Sequence, residues 1–95
     1  MQKQVILILL LLLLSCKNHY NDMITWADNL NKGIDIELVK KRQPDFIEID
    51  WQNAQIDKDT KKYLIRKVKG SKDILGMSHY LVFRAGKYEG REPHK

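Results

Sequence analysis

The sequence predicts an α+β domain in which two short N-terminal helices precede a three- to four-stranded antiparallel sheet. Three observations support this class. Apolar residues recur at helical spacing before Gly33, the next segment has its charges ordered as in a short helix, and several later segments alternate apolar and polar residues. We place the folded domain at residues 22–91 and a tail at residues 92–95.

The first helix is predicted over about residues 22–32. Asn21 and Asp22 are residue types that favour the N-cap position. Gly33 stands where a glycine often follows the last helical turn. Between these limits the apolar positions follow a helical period: Met23, Trp26, Ala27 and Leu30.

The segment GIDIELVKKRQP, residues 33–44, can be interpreted as a strand or as a helix. Ile34, Ile36 and Leu38 alternate with acidic residues, as in a strand. Alternatively Asp35 caps a short helix, with an acidic first turn and a basic last turn that suit the helix dipole. Pro44 would end such a helix, because the residue before a proline avoids the helical region. We favour the helix.

Strands are predicted from residue 45 onward. DFIEIDW, residues 45–51, alternates as a half-buried strand does, whereas QNAQIDKDTK, residues 52–61, is typical of a turn. Residues 60–69 fit either a strand or a helix, and we favour a strand because strands on both sides need partners. HYLVFRAGKYEG, residues 79–90, predicts a strand, a tight turn at Ala85-Gly86 and a final strand.

The first fifteen residues predict an export signal. Lys3 precedes an apolar run of ten residues, residues 5–14. That run is too short to span a bilayer, which takes about 20 residues, and it matches the apolar region of a secretory signal. The run ends in Leu13-Leu14-Ser15-Cys16, which resembles the lipobox of bacterial lipoproteins. A simply secreted protein with a free thiol is the alternative.

The lipobox resemblance implies a lipid anchor on Cys16. Residues 1–15 would be a cleaved lipoprotein signal peptide, and Cys16 would carry covalent diacylglycerol and an N-acyl chain, with no other cofactor. Stable anchoring takes two membrane signals, and such a residue supplies them alone. Residues 16–21 would form a lipidated tether. Lys17 and Asn18 are not acidic, so the resemblance implies the outer membrane of the cell envelope.

Two segments of the domain are similar to small envelope lipoproteins of the BamE (SmpA/OmlA) type. NKGIDIELVKKRQP and LVFRAGKYEG carry the resemblance, although Ile34 and Gln43 depart from its pattern. The matching positions are Gly33, Asp35, Val39, Pro44, Phe83, Gly86 and Lys87. The resemblance implies a fold like that of β-lactamase inhibitor proteins, whose members bind other proteins and have no catalytic centre.

No motif of the sequence predicts an enzyme, a metal site or a small-molecule substrate. His19, His79 and His94 have no common spacing with other ligands, and zinc needs three or four that converge. The Asp57-Lys58-Asp59 segment lacks the glycine and glutamate of a calcium loop. GSKDILG, residues 70–76, lacks the Gly-Lys-Ser/Thr of a phosphate-binding loop. Export conflicts with a nucleic-acid partner.

The second half of the chain is basic and contains aromatic residues that could contact a partner. Residues 51–95 hold eleven basic and five acidic side chains. We predict a partner-binding patch of Phe46, Tyr88, Lys67 and Lys69, with a solvated face and minor core contacts as the alternative. The predicted function is a non-enzymatic accessory lipoprotein that binds an envelope protein. The alternative is a periplasmic immunity or inhibitor protein.

Overall fold

The computed structural model describes residues 18–71 and 76–95. Within these ranges two helices are followed by five antiparallel strands: α1 Tyr20–Asn29, α2 Ile36–Arg42, β1 Ile47–Ile49, β2 Gln55–Asp57, β3 Thr60–Val68, β4 Ser78–Arg84 and β5 Lys87–His94. The α+β class is confirmed, but the sheet has five strands rather than three to four. The predicted signal peptide and Cys16 lie outside the described residues. No described helix is long and apolar enough to cross a membrane.

Helix α1 begins and ends earlier than predicted. Asn21 and Asp22 lie inside the helix, because the N-cap position is occupied by His19. Just before the helix, the side chain of Asn18 accepts a hydrogen bond from the Tyr20 amide at 2.8 Å. The chain leaves the helix in an extended conformation at Leu30. Gly33 (φ 90°) does not end the helix. Its amide instead donates to the Tyr88 carbonyl at 2.7 Å, which joins this segment to β5.

The helical interpretation of residues 33–44 is confirmed. Asp35 is the N-cap of α2, and its side chain accepts a hydrogen bond from the Glu37 amide at 3.2 Å. Lys40, Lys41 and Arg42 occupy the last turn, where cations interact favourably with the helix dipole. Val39 is fully buried, so α2 packs on the sheet through this residue.

Strand β3 lies between β1 and β4, and the sheet order is β1-β3-β4-β5. The favoured strand interpretation of residues 60–69 is therefore confirmed. The predicted turn at residues 52–61 is wrong in part, because Gln55–Asp57 forms β2 and pairs with the start of β3 through a two-residue turn. The sequence does not indicate this strand, because it has only three residues and all of them are exposed, so no apolar alternation marks it. Strand β1 is shorter than the predicted segment 45–51.

The hairpin of β4 and β5 contains the predicted tight turn. Ala85 and Gly86 both have positive φ, 50° and 76°, as a two-residue hairpin turn of type I′ requires. Strand β5 continues to His94, beyond the predicted domain end at residue 91. It does so because β4 begins at Ser78, which pairs with His94.

One face of the sheet packs against both helices and forms the core. The helices contribute Met23, Ala27 and Val39. The strands contribute Ile47, Ile49, Tyr63, Ile65, Leu81, Phe83 and Tyr88. The residues that alternate with them on β3 and β4 point to the opposite face of the sheet.

Candidate functional site

The structure brings three of the four predicted partner-binding residues to one end of the sheet. The amide of Lys69 donates to the Phe46 carbonyl at 2.8 Å, and Lys67 lies opposite Glu48 where β3 pairs with β1. Lys67 and Lys69 are exposed, as is the neighbouring Arg66. We call Arg66, Lys67 and Lys69 the basic end of the domain.

His19 attaches the start of the folded chain to this basic end. Its amide donates to the Lys69 carbonyl at 3.0 Å, and its ring stacks on Phe46 with centroids 4.6 Å apart. The Nδ1 atom lies 3.0 Å from a carboxylate oxygen of Asp22. These contacts leave Phe46 half-buried. The folded structure therefore begins three residues earlier than the predicted boundary at residue 22.

Tyr88 is a core residue, which corrects the expectation of an exposed ring. Its residue surface is 2% exposed, and its hydroxyl donates to the Ala27 carbonyl at 2.8 Å. Burial raises the pKa of this phenol far above its ordinary value of 10.0, and the nearby Asp28 raises it further. Tyr88 lies between Lys87 and Glu89, and this alternation favours an inward ring. Its position near a sheet edge favours an exposed ring, and that second indication was the wrong one.

A polar network that the sequence did not predict links α1 to β4 and β5. His79, which is 5% exposed, lies with Nε2 2.6 Å from the Tyr20 hydroxyl and Nδ1 3.0 Å from Nη1 of Arg91. Arg91 also donates from Nε and Nη2 to both carboxylate oxygens of Asp28, at 2.9 and 3.1 Å. The hydrogen bond to Asp28 raises the pKa of Arg91.

This geometry assigns the tautomer of His79. A guanidinium can only donate, so Nδ1 of His79 accepts from Arg91. The imidazole is then neutral, and its Nε2–H donates to the Tyr20 hydroxyl oxygen. Since Tyr20 and Asp28 belong to α1, the network fixes both ends of that helix on the sheet. The Tyr20–His79 and Asp28–Arg91 pairs are 59 and 63 residues apart, so no local spacing in the sequence could reveal them.

A cleft opens where β3 and β4 separate. Their pairing ends at Ile65 and His79, whereas β3 continues to Val68 against β1. The cleft has a volume of about 490 Å³. Its lining includes Tyr20, Met23, Arg66, Val68, Met77 and His79. The cleft therefore lies between the basic end, which contributes Arg66, and the polar network, which contributes Tyr20 and His79.

The sheet face opposite the helices is the second candidate site. Leu64, Tyr80 and Val82 are half-buried there, and Leu64 lies directly opposite Tyr80. Beside them Lys62 and Glu92 form an ion pair at 3.0 Å, which lowers the pKa of Glu92. We call these five residues the open face. It offers apolar, aromatic and charged groups side by side, which is the chemistry of a protein-binding surface.

Metal binding finds no support in the arrangement of ligand side chains. In residues 18–71 and 76–95, no group of three or more His, Cys, Asp or Glu side chains is placed to hold a metal ion.

Comparison with known proteins identifies no relative. The chain matches no protein-family model, no curated protein and no solved structure. The likeness to the lipobox and to the BamE type therefore stays a prediction from the sequence.

Proposed function

We propose that this chain is a non-enzymatic lipoprotein of the bacterial cell envelope that binds a protein partner. Acyl chains on Cys16 anchor it, and the outer membrane is the proposed location because Lys17 and Asn18 follow the cysteine. The open face is the observation that supports a protein partner. The LLSC segment at residues 13–16 is the observation that supports the lipid anchor.

The open face supports protein binding because its apolar residues are contiguous. The solvent-facing side of an antiparallel sheet is usually polar. Here Leu64, Tyr80 and Val82 occupy neighbouring positions on β3 and β4, with the Lys62–Glu92 pair at their border. An apolar and aromatic centre with a charged rim is how protein interfaces are organised.

The anchor is tested by substituting Cys16 with serine. We expect the wild-type chain to incorporate labelled palmitate in cells and the Cys16→Ser variant to incorporate none, since a hydroxyl cannot replace the thiol nucleophile. Lys17→Ser is the matched control, because it alters the same segment and leaves the cysteine. Equal labelling of the wild type and Cys16→Ser would refute the anchor.

The binding surface is tested by removing its apolar side chains. Protein partners are captured by crosslinking in native membranes with the wild type and with the double variant Leu64→Ser/Val82→Ser. We expect the double variant to recover about thirtyfold less of the partner, because two central apolar residues that each contribute about 1 kcal/mol together change the affinity by about that factor. Circular dichroism establishes that the variant is folded.

The control for this capture is the double variant Leu38→Ser/Ile56→Ser. Leu38 and Ile56 are 42% and 69% exposed and lie outside the open face. Equal loss in both double variants, or no loss in either, would contradict binding at the open face. The captured protein also distinguishes two roles. An envelope assembly component favours an accessory function, whereas a toxin or hydrolase favours an inhibitor.

A further inference from the structure

We propose that the basic end of the domain rests on anionic lipid headgroups and so fixes the orientation of the domain on the membrane. The inference rests on the proposed anchor at Cys16 and adds a second membrane contact to it. The surface consists of Arg66, Lys67 and Lys69 at the end of β3. Its occupant is the phosphate-bearing surface of the membrane that holds the acyl chains.

The length of the tether places this end of the domain near the membrane. His19 is bound to Lys69 through its backbone and to Phe46 through its ring. Only residues 17 and 18 separate it from Cys16. Three residue steps span at most about 10 Å when fully extended. Anchored at Cys16, the domain would keep its basic end within about that distance of the headgroups.

The charges at the two ends of the sheet differ in how they are neutralised. Among the described residues, Arg66, Lys67 and Lys69 form no ion pair, although Glu48 lies opposite Lys67 in the register. At the far end two of the cations are paired, whereas Lys58 and Lys61 form no ion pair with another described residue. Arg84 lies 3.7 Å from Asp59, and Lys87 lies 3.6 Å from Asp35. The exposed cations nearest the tether are therefore available to an external anion.

Anionic headgroups match this surface in charge and in position. Each Lys or Arg held at an anionic membrane surface favours binding by about fivefold, and the attraction falls within a Debye length. The basic end lies within that range of the membrane when Cys16 is anchored, whereas the far end lies beyond the length of β3. A domain held by lipid at one point would thus gain a preferred orientation, with the open face exposed beside the membrane.

Amine labelling of the intact protein tests the orientation. The chain is purified from cells with its native anchor and reconstituted in vesicles of phosphatidylcholine, alone or mixed with phosphatidylglycerol. A water-soluble amine reagent then modifies exposed lysines, which mass spectrometry quantifies. We expect Lys67 and Lys69 to react about fivefold or more slowly in the anionic vesicles than in detergent. Lys58 and Lys61, at the far end of β3, should react at nearly unchanged rates.

A fluorescent label measures the contribution of the cations themselves. With Cys16 acylated, the exposed position Asp45→Cys provides a single thiol beside Phe46 for a polarity-sensitive dye. We expect anionic lipid to shift its emission to the blue. Adding Lys67→Gln/Lys69→Gln should abolish most of that shift, and adding Lys58→Gln/Lys61→Gln should preserve it.

The outcomes separate the inference from the anchor on which it rests. If the wild-type chain floats with vesicles but both ends label equally, or the far end is protected, the orientation is refuted and the anchor stands. The proposed orientation is also refuted if the Lys67→Gln/Lys69→Gln variant shows the same emission shift as the labelled protein without these substitutions. If the chain does not float with phosphatidylcholine vesicles, the anchor itself fails, and the proposed orientation with it.

Discussion

Phe83→Ala is expected to lower the free energy of unfolding by about 3–5 kcal/mol. Phe83 is 2% exposed, and its ring contacts the rings of Tyr63 and Tyr88 with centroids 5.6 and 5.3 Å away. The alanine variant loses the buried apolar area, leaves a cavity and removes edge-to-face aromatic contacts worth about 0.5–1.5 kcal/mol each. The free energy of unfolding of a native protein is about 5–15 kcal/mol, so the variant would lose a large part of it.

Urea unfolding followed by circular dichroism measures this effect. Val82→Ala is the matched control, since Val82 is the preceding residue on β4 and points to the open face rather than the core. We expect the control to lose about 1 kcal/mol or less, in keeping with its half-buried position. Similar losses in the two variants would mean that the core does not lie on the assigned face of β4.

The elements that the sequence predicted correctly have local signals. Helix α2 has its cap at Asp35, an acidic first turn, a basic last turn and a proline after it, all within ten residues of the chain. The turn at Ala85-Gly86 is marked by a glycine between two alternating segments. In such cases neighbouring residues determine the backbone, so the conformation can be inferred without tertiary contacts.

The elements that the sequence missed depend on distant residues. Strand β2 has three exposed residues, and it exists because the start of β3 offers it hydrogen bonds. The end of β5 is set by the length of β4 in the same way. Residues 60–69 suit a strand or a helix by local propensity, and they form a strand because β1 and β4 pair with them on both sides.

The candidate site was predictable only as separate residues. The sequence shows that Lys67 and Lys69 are basic. It does not show that they are close to His19, because this proximity arises only when the end of β3 packs beside the start of α1. The burial of Tyr88 depends on α1, which covers the start of β5 and accepts the hydrogen bond of the Tyr88 hydroxyl at the Ala27 carbonyl. Likewise His79 gains its partners from two other elements. Charge and aromaticity are thus local properties, whereas exposure is decided by the assembled fold.

Tyr88→Phe is expected to lower the free energy of unfolding at neutral pH by about 1–3 kcal/mol. The hydroxyl donates to the carbonyl of Ala27, which is in the last four residues of α1. Carbonyls in that part of a helix lack a partner within the helix. Phenylalanine keeps the ring and its packing but leaves this carbonyl buried without its donor. Tyr80→Phe removes the same group from the open face, and we expect it to cost less than about 0.5 kcal/mol.

The same variant is expected to change how stability depends on alkaline pH. Because burial raises the pKa of Tyr88, the folded state holds the phenolic proton more tightly than the unfolded state does. Its stabilising contribution is therefore complete below pH about 10, where both states are protonated, and declines above it by about 1.4 kcal/mol per pH unit. Phenylalanine has no proton to lose, so the unfolding free energies of wild type and Tyr88→Phe should converge as pH rises above about 10. Urea unfolding over this range measures the convergence, and parallel curves would show that Tyr88 ionises equally easily in the folded and unfolded chains.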